Sequence, residues 1–159
     1  RQYLVHLQFN VFINTKSTMK YIQNLLIHAT VLEQNPAFTA IQKAAHPTLS
    51  GSNNVVRFDN VILNRGKGYD PATGIFTAPK TGLYQISVTV MSNGGSALNV
   101  SLRKNGVPIL NMYGSPLHGS TETANPILEL QTGDRVYVEG AGEINGDSYC
   151  YISGFYISE

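Results

Sequence analysis

The sequence has a single cysteine, Cys150, among 159 residues, so it forms no intrachain disulfide and no cysteine-rich zinc site. That lone thiol says nothing of the redox compartment, because an extracellular protein can do without disulfides. Charge is scarce as well: Asp, Glu, Lys and Arg make up 13% of the chain, about half the share usual in soluble proteins. The formal net charge is +1, with no basic cluster. This argues against a nucleic-acid partner, since binding phosphates requires concentrated Lys and Arg. No apolar run reaches the roughly 18 residues that a membrane-spanning helix requires. Neither a GxSxG nucleophile elbow nor a phosphate-binding glycine loop leading into a helix is present, which points away from an enzyme.

The length suits one domain with an appendage. Residues 1–36 form the appendage and 37–159 the domain. The sequence opens on Arg1 rather than Met, the start expected of a fragment or processed product. Thr18, Ile22, Leu25, Ala29 and Leu32 recur at four-three spacing, which predicts a short helix with one side able to pair with copies of itself. The stretch from Met19, with Lys20 ahead of an apolar run broken by Gln23, Asn24 and His28, also reads as a leader remnant, and a tail is the third reading. Pro36 closes the segment, because proline disfavours helix at the residue before it.

From Ala37 onward the pattern is strands and turns. In the stretch 58–90, Tyr84, Ile86, Val88 and Val90 alternate with Gln85, Ser87 and Thr89, the period-two signature of a strand with one face in a core. Leu98, Val100 and Leu102 repeat the pattern. Asn105-Gly106 predicts a type I′ hairpin, since both residues tolerate positive φ. A polar loop is expected over 114–125, then strands at 126–130 and 135–139, a loop over 140–147, and a last strand. Many short strands separated by Gly, Asn and Pro predict an all-β antiparallel sandwich or barrel. In the last strand Tyr149, Tyr151, Phe155 and Ile157 share one face, while Cys150, Ile152 and Tyr156 share the other. Both faces are apolar where a sandwich strand needs only one, so the second face predicts packing against another subunit.

Phe58, Asn64, Tyr69, Phe76, Gly82 and Tyr84 fall in register with the signature of the globular head of complement C1q, and residues 37–159 resemble that family. The segment TGIFTAPKTGLY looks like the family's centre, and YISGFYI, with Gly154 and Phe155, like its closing strand. Ile86 and Val88 replace the two aromatics that end the family's pattern. The resemblance implies a ten-stranded jelly roll shared with the tumour necrosis factor superfamily, a homotrimer, and a secreted, extracellular protein. Without Gly-x-y repeats ahead of the head, it implies a collagen-less member of a group that recognises carbohydrate or microbial surfaces in innate immunity. The signature residues themselves read as scaffold.

Ligand-binding candidates therefore lie on loops held by that scaffold: Tyr113, His118, Thr121 and Glu122 on one, and Glu143, Asn145 and Asp147 on another. A different class of function is a signalling or assembly ligand that engages a protein receptor through grooves between subunits. His6, His28, His46 and His118 show no metal-ligand spacing. Calcium, which needs several carboxylates, finds only Glu122 in the loop where relatives hold it, so no cofactor is expected. Asn99-Val100-Ser101 is the one glycosylation sequon, with Asn99 on the outward face of its strand.

Overall fold

The structure, a computed structural model, describes residues 15–27, 35–43, 48–49 and 54–159. Ala29, Leu32, His6, His28 and His46 lie outside the described residues. The chain divides into two units, Arg1–Asn35 and Pro36–Glu159. In the first, residues 15–27 form a helix with every side chain exposed, Ile22 and Leu25 of the apolar side included.

The second unit is a two-sheet sandwich. One sheet contains β1 (Ala37–Ile41), β3 (Asn60–Arg65), β6 (Gly82–Met91), β9 (Thr121–Ala124), β10 (Ile127–Leu130) and β12 (Tyr151–Ser158). Their order is β10–β6–β12–β1–β3, with β9 also pairing β6. The other contains β2 (Thr48–Leu49), β4 (Tyr69–Asp70), β5 (Ile75–Thr77), β7 (Leu98–Lys104), β8 (Val107–Gly114) and β11 (Arg135–Glu143), in the order β4–β5–β11–β7–β8 with β2 on β11. All these pairings are antiparallel. The architecture is the all-β antiparallel sandwich that the turn spacing predicts, with twelve described strands, of which β2 and β4 have two residues each, where the resemblance implies ten.

Alternation decides which side chains enter the core. On β6, Tyr84, Ile86, Val88 and Val90 are fully buried, and on β7, Leu98, Val100 and Leu102 meet them from the opposite sheet. The aromatic prelude stacks between the sheets: Phe38 lies 4.4 Å from Phe76 and 5.3 Å from Tyr69, ring centroid to centroid. Edge contacts run on from Phe76 to Tyr84 at 5.7 Å and from Tyr84 to Tyr156 at 5.4 Å. Each such pair contributes about 0.5–1.5 kcal/mol beyond the area it buries.

The polar members of the signature hold turns. Asn64 clamps the β3–β4 connection, its Nδ2 donating to the Tyr69 carbonyl at 2.7 Å and its Oδ1 accepting from the Tyr69 amide at 3.1 Å. The Tyr69 hydroxyl donates to the Phe58 carbonyl at 3.1 Å and accepts from the Phe58 amide at 3.2 Å. Residue 58 is outside any strand, so this phenol satisfies backbone groups that no ladder reaches. Asn105 and Gly106 have φ of 50° and 87°, the positive pair that a type I′ hairpin requires. Gly154 leaves room for the side chains of Phe38 and Ile86, which a Cβ would meet at 2.7 Å, and for the Gln85 carbonyl of the neighbouring strand at 3.1 Å.

The two outer faces differ in chemistry. On the β6/β12/β1 sheet, Phe155 is 53% exposed and Ile127 60%, and they lie in one row, Ala37–Phe155–Gln85–Ile127. The next rows add Tyr151, Thr89 and Thr123, whose two threonine hydroxyls sit 3.0 Å apart. The outer face of the other sheet is polar: Asn99, Ser101 and Arg103 project from β7, Ser101 donates to Asn111 Oδ1 at 2.8 Å, and Arg103 Nε sits 3.4 Å from Glu139.

Candidate functional site

Three loops meet at one end of the sandwich: residues 92–97 after β6, 115–120 after β8, and 144–150 after β11. Their backbones are cross-linked. Ser92 donates to the Ser120 carbonyl at 2.8 Å and accepts from the Gly119 amide at 2.9 Å, while Asn93 donates to the Glu143 carbonyl at 3.0 Å and Asn145 to the Met91 carbonyl at 2.8 Å. Gly94 and Gly95, with φ of 89° and 79°, turn the first loop tightly enough for His118 to lie against it.

Beneath this surface, the Cys150 thiol donates to the Asn145 carbonyl at 3.1 Å and its sulfur accepts from the Met91 amide at 3.1 Å. Burial pushes its pKa up to about 11, so the thiol stays protonated and serves as a floor for the loops rather than as a nucleophile.

The structure brings together part of the expected set. His118 and Asn145 meet, Nε2 to Nδ2 at 3.5 Å. Asn145 is only 4% exposed, so its amide positions His118 and Met91 from below and does not face solvent. Glu143 is half-buried at the end of β11, and Asp147 is exposed in a turn with positive φ at Asp147 and Ser148.

Tyr113, Thr121 and Glu122 belong to strands, as does Glu143, which corrects the loops expected over 114–125 and 140–147 and the placing of Tyr113 on the first of them. Tyr113 projects from β8 on the polar outer face, 65% exposed and opposite Asn99. Thr121 and Glu122 are consecutive residues of β9 and so point to opposite sides. Thr121 is opposite Met91 and donates to the Gly119 carbonyl at 3.1 Å; Glu122 lies beside Gly114.

Two apical residues escape sequence reasoning. Leu117 is 71% exposed at the tip of its loop, and Tyr149 is 55% exposed on the neighbouring one. The signal for Leu117 is an apolar side chain inside a Ser/Gly/His loop; Tyr149 is masked by its alternation with the last strand. The surface thus combines an imidazole, a carboxylate, a phenol and an apolar tip, groups that hydrogen-bond to hydroxyls and pack against apolar ligand faces. Among the described residues no three His, Cys, Asp or Glu side chains gather where a metal ion would fit.

Fold comparison defines the class first. The sandwich superposes on the globular domain of zebrafish complement 1qA with a TM-score of 0.64 at 21% identity, covering 79% of this chain and 98% of that one. It also superposes on murine APRIL, with a TM-score of 0.59 at 12% identity over 77% and 99% of the two chains, and on the Eiger TNF of S. frugiperda, with 0.59 at 14% over 79% and 94%. The fold is therefore the jelly roll common to C1q and tumour necrosis factor domains, families that are generally non-enzymatic and generally trimerise.

The C1q domain profile matches residues 37–157, and the chain belongs to that family. It is also 34% identical to the mouse collagen alpha-1(X) chain over 105 residues, 65% of this chain and 15% of that protein's length. No described helix is long and apolar enough to cross a membrane.

Proposed function

We propose that this chain is a secreted, homotrimeric recognition protein that binds carbohydrate or microbial-surface ligands of innate immunity through its apical loops, without chemistry. The observation that carries this reading is the locked loop cluster. His118, Leu117, Asp147 and Tyr149 are exposed on segments tied together by backbone hydrogen bonds, so a ligand meets a preformed surface and little ordering cost opposes binding. The apolar outer face of the β6/β12/β1 sheet supports the trimer, because an exposed Phe155–Ile127 row gains by being covered. Three equivalent weak sites on one trimer then engage an arrayed glycan strongly through avidity. Residues 15–27, a helix with every side chain exposed, precede the head in the chain as an extension.

A glycan array and a bacterial-binding assay on the verified trimer, with and without calcium, test this reading. Binding that falls on His118→Ala and Asp147→Ala supports it, and the absence of any ligand under every condition overturns it.

A second reading has its own observation. Ile62 on edge strand β3 and Val107 on edge strand β8 are each 63% exposed, apolar positions of the kind that line grooves between subunits. A signalling or assembly ligand would meet its protein receptor there. Pulldown from extracellular extracts separates the two: a stoichiometric protein partner favours the receptor reading, and competition by free sugars favours recognition of glycans.

A further inference from the structure

The polar outer face of the β4–β5–β11–β7–β8 sheet takes no part in the apical site or in the apolar face assigned to the trimer. Near its apical end, at the start of β7, stands the sequon Asn99-Val100-Ser101. Val100 and Leu98 turn into the core and are fully buried, which leaves Asn99 exposed on the solvent side. Its amide makes no hydrogen bond among the described residues, unlike Ser101, which is joined to Asn111. Across the two neighbouring strands its partners are Ala141 and Tyr113, both exposed. A methyl group on one side leaves room for a bulky substituent. A phenol ring on the other, about 4.5–5.5 Å away between Cβ atoms, offers an apolar surface to it.

We infer that Asn99 is an N-glycosylation acceptor and that the first sugar of its glycan packs against Tyr113. The free amide is what the transfer requires: its nitrogen forms the bond to the anomeric carbon of a lipid-linked oligosaccharide donor, the lipid pyrophosphate departs, and the amide gives up one proton. Because the acceptor lies on the face opposite Phe155, a glycan and a trimer are compatible. The glycan shields this face, Tyr113 included, and borders the apical loops, because Asn99 follows the 92–97 loop by two residues. This inference rests on the secretory route assigned under the proposed function, so the test supplies that route.

The full chain is expressed behind a secretion leader in a eukaryotic host, and its intact mass is measured in the medium and in the membrane fraction before and after peptide N-glycosidase. The expected result is one glycan per chain, released with Asn99 converted to Asp. It is lost in Asn99→Gln and Ser101→Ala, and retained in Ser101→Thr. An Asn99 peptide found unmodified in both fractions overturns the acceptor, and leaves the proposed function untouched. Enzymatic removal of the glycan should lower Tm in the wild type and not in Tyr113→Ala. Equal shifts in both, or none in either, overturn the packing on Tyr113.

Discussion

Tyr69 shows how one side chain serves two roles. Its ring stacks in the core, and its hydroxyl both donates to and accepts from Phe58 at 3.1 and 3.2 Å; burial pushes the phenol well above its ordinary range. Tyr69→Phe keeps the ring and strands a buried amide and carbonyl, so urea denaturation should show a loss of about 1–3 kcal/mol. Cys150 gives a kinetic counterpart. With its thiol held up near 11 by burial, the native protein should resist iodoacetamide at pH 8 and become labelled only after denaturation. At this scale the scaffold was legible, because Phe58, Asn64, Tyr69, Phe76, Gly82 and Tyr84 act through local turns and strand alternation. Asn145 was not: its burial depends on His118 and Met91, 27 and 54 residues away in the chain, and no local pattern encodes such partners.

The connections between strands show the same division. Gly82 opens β6 at a φ of 146°, and a Cβ there would collide with the Ser158 carbonyl of β12. Gly82→Ala therefore strains the backbone and the pairing at once, and chemical denaturation should register about 1–3 kcal/mol. At the far end, Asp134 ties two turns together: its Oδ1 accepts from Asn105 Nδ2 at 2.8 Å, its Oδ2 accepts from the Gln131 amide at 2.9 Å, and Lys104 Nζ lies 3.0 Å away. The hydrogen bond from Asn105, followed by those from Gln131 and Lys104, lowers its pKa from 3.8 to about 2. A lowered folded-state pKa means the contribution is complete above about 4 and disappears as pH falls toward 2. Acid titration of stability should lose that component in Asp134→Asn. The Asn-Gly hairpin announced its turn in two residues, but β9 was hidden inside an apparent polar loop, since Thr-Glu-Thr-Ala carries no apolar alternation and pairs with β6 only through long-range register.

For the whole molecule, the asymmetry between the two outer faces matters most. One sheet presents Phe155 and Ile127 to solvent, and the other presents Asn99, Ser101 and an Arg103–Glu139 pair. The apolar character of both faces of the last strand revealed that asymmetry in advance, because Phe155 and Tyr151 alternate with Ile152 and Tyr156. The apical cluster was only half legible, since loops from three separate parts of the chain converge on it. Phe155→Glu places a charge in the proposed interface without touching the core, so it should yield a monomer with unchanged circular dichroism and weakened binding to arrayed glycans. Trimeric assembly underlies both the recognition and the receptor readings, and sedimentation equilibrium of the wild-type chain tests it most directly. A species of three times the 17.3 kDa chain mass is predicted, and a single 17.3 kDa species at micromolar concentration would contradict the account.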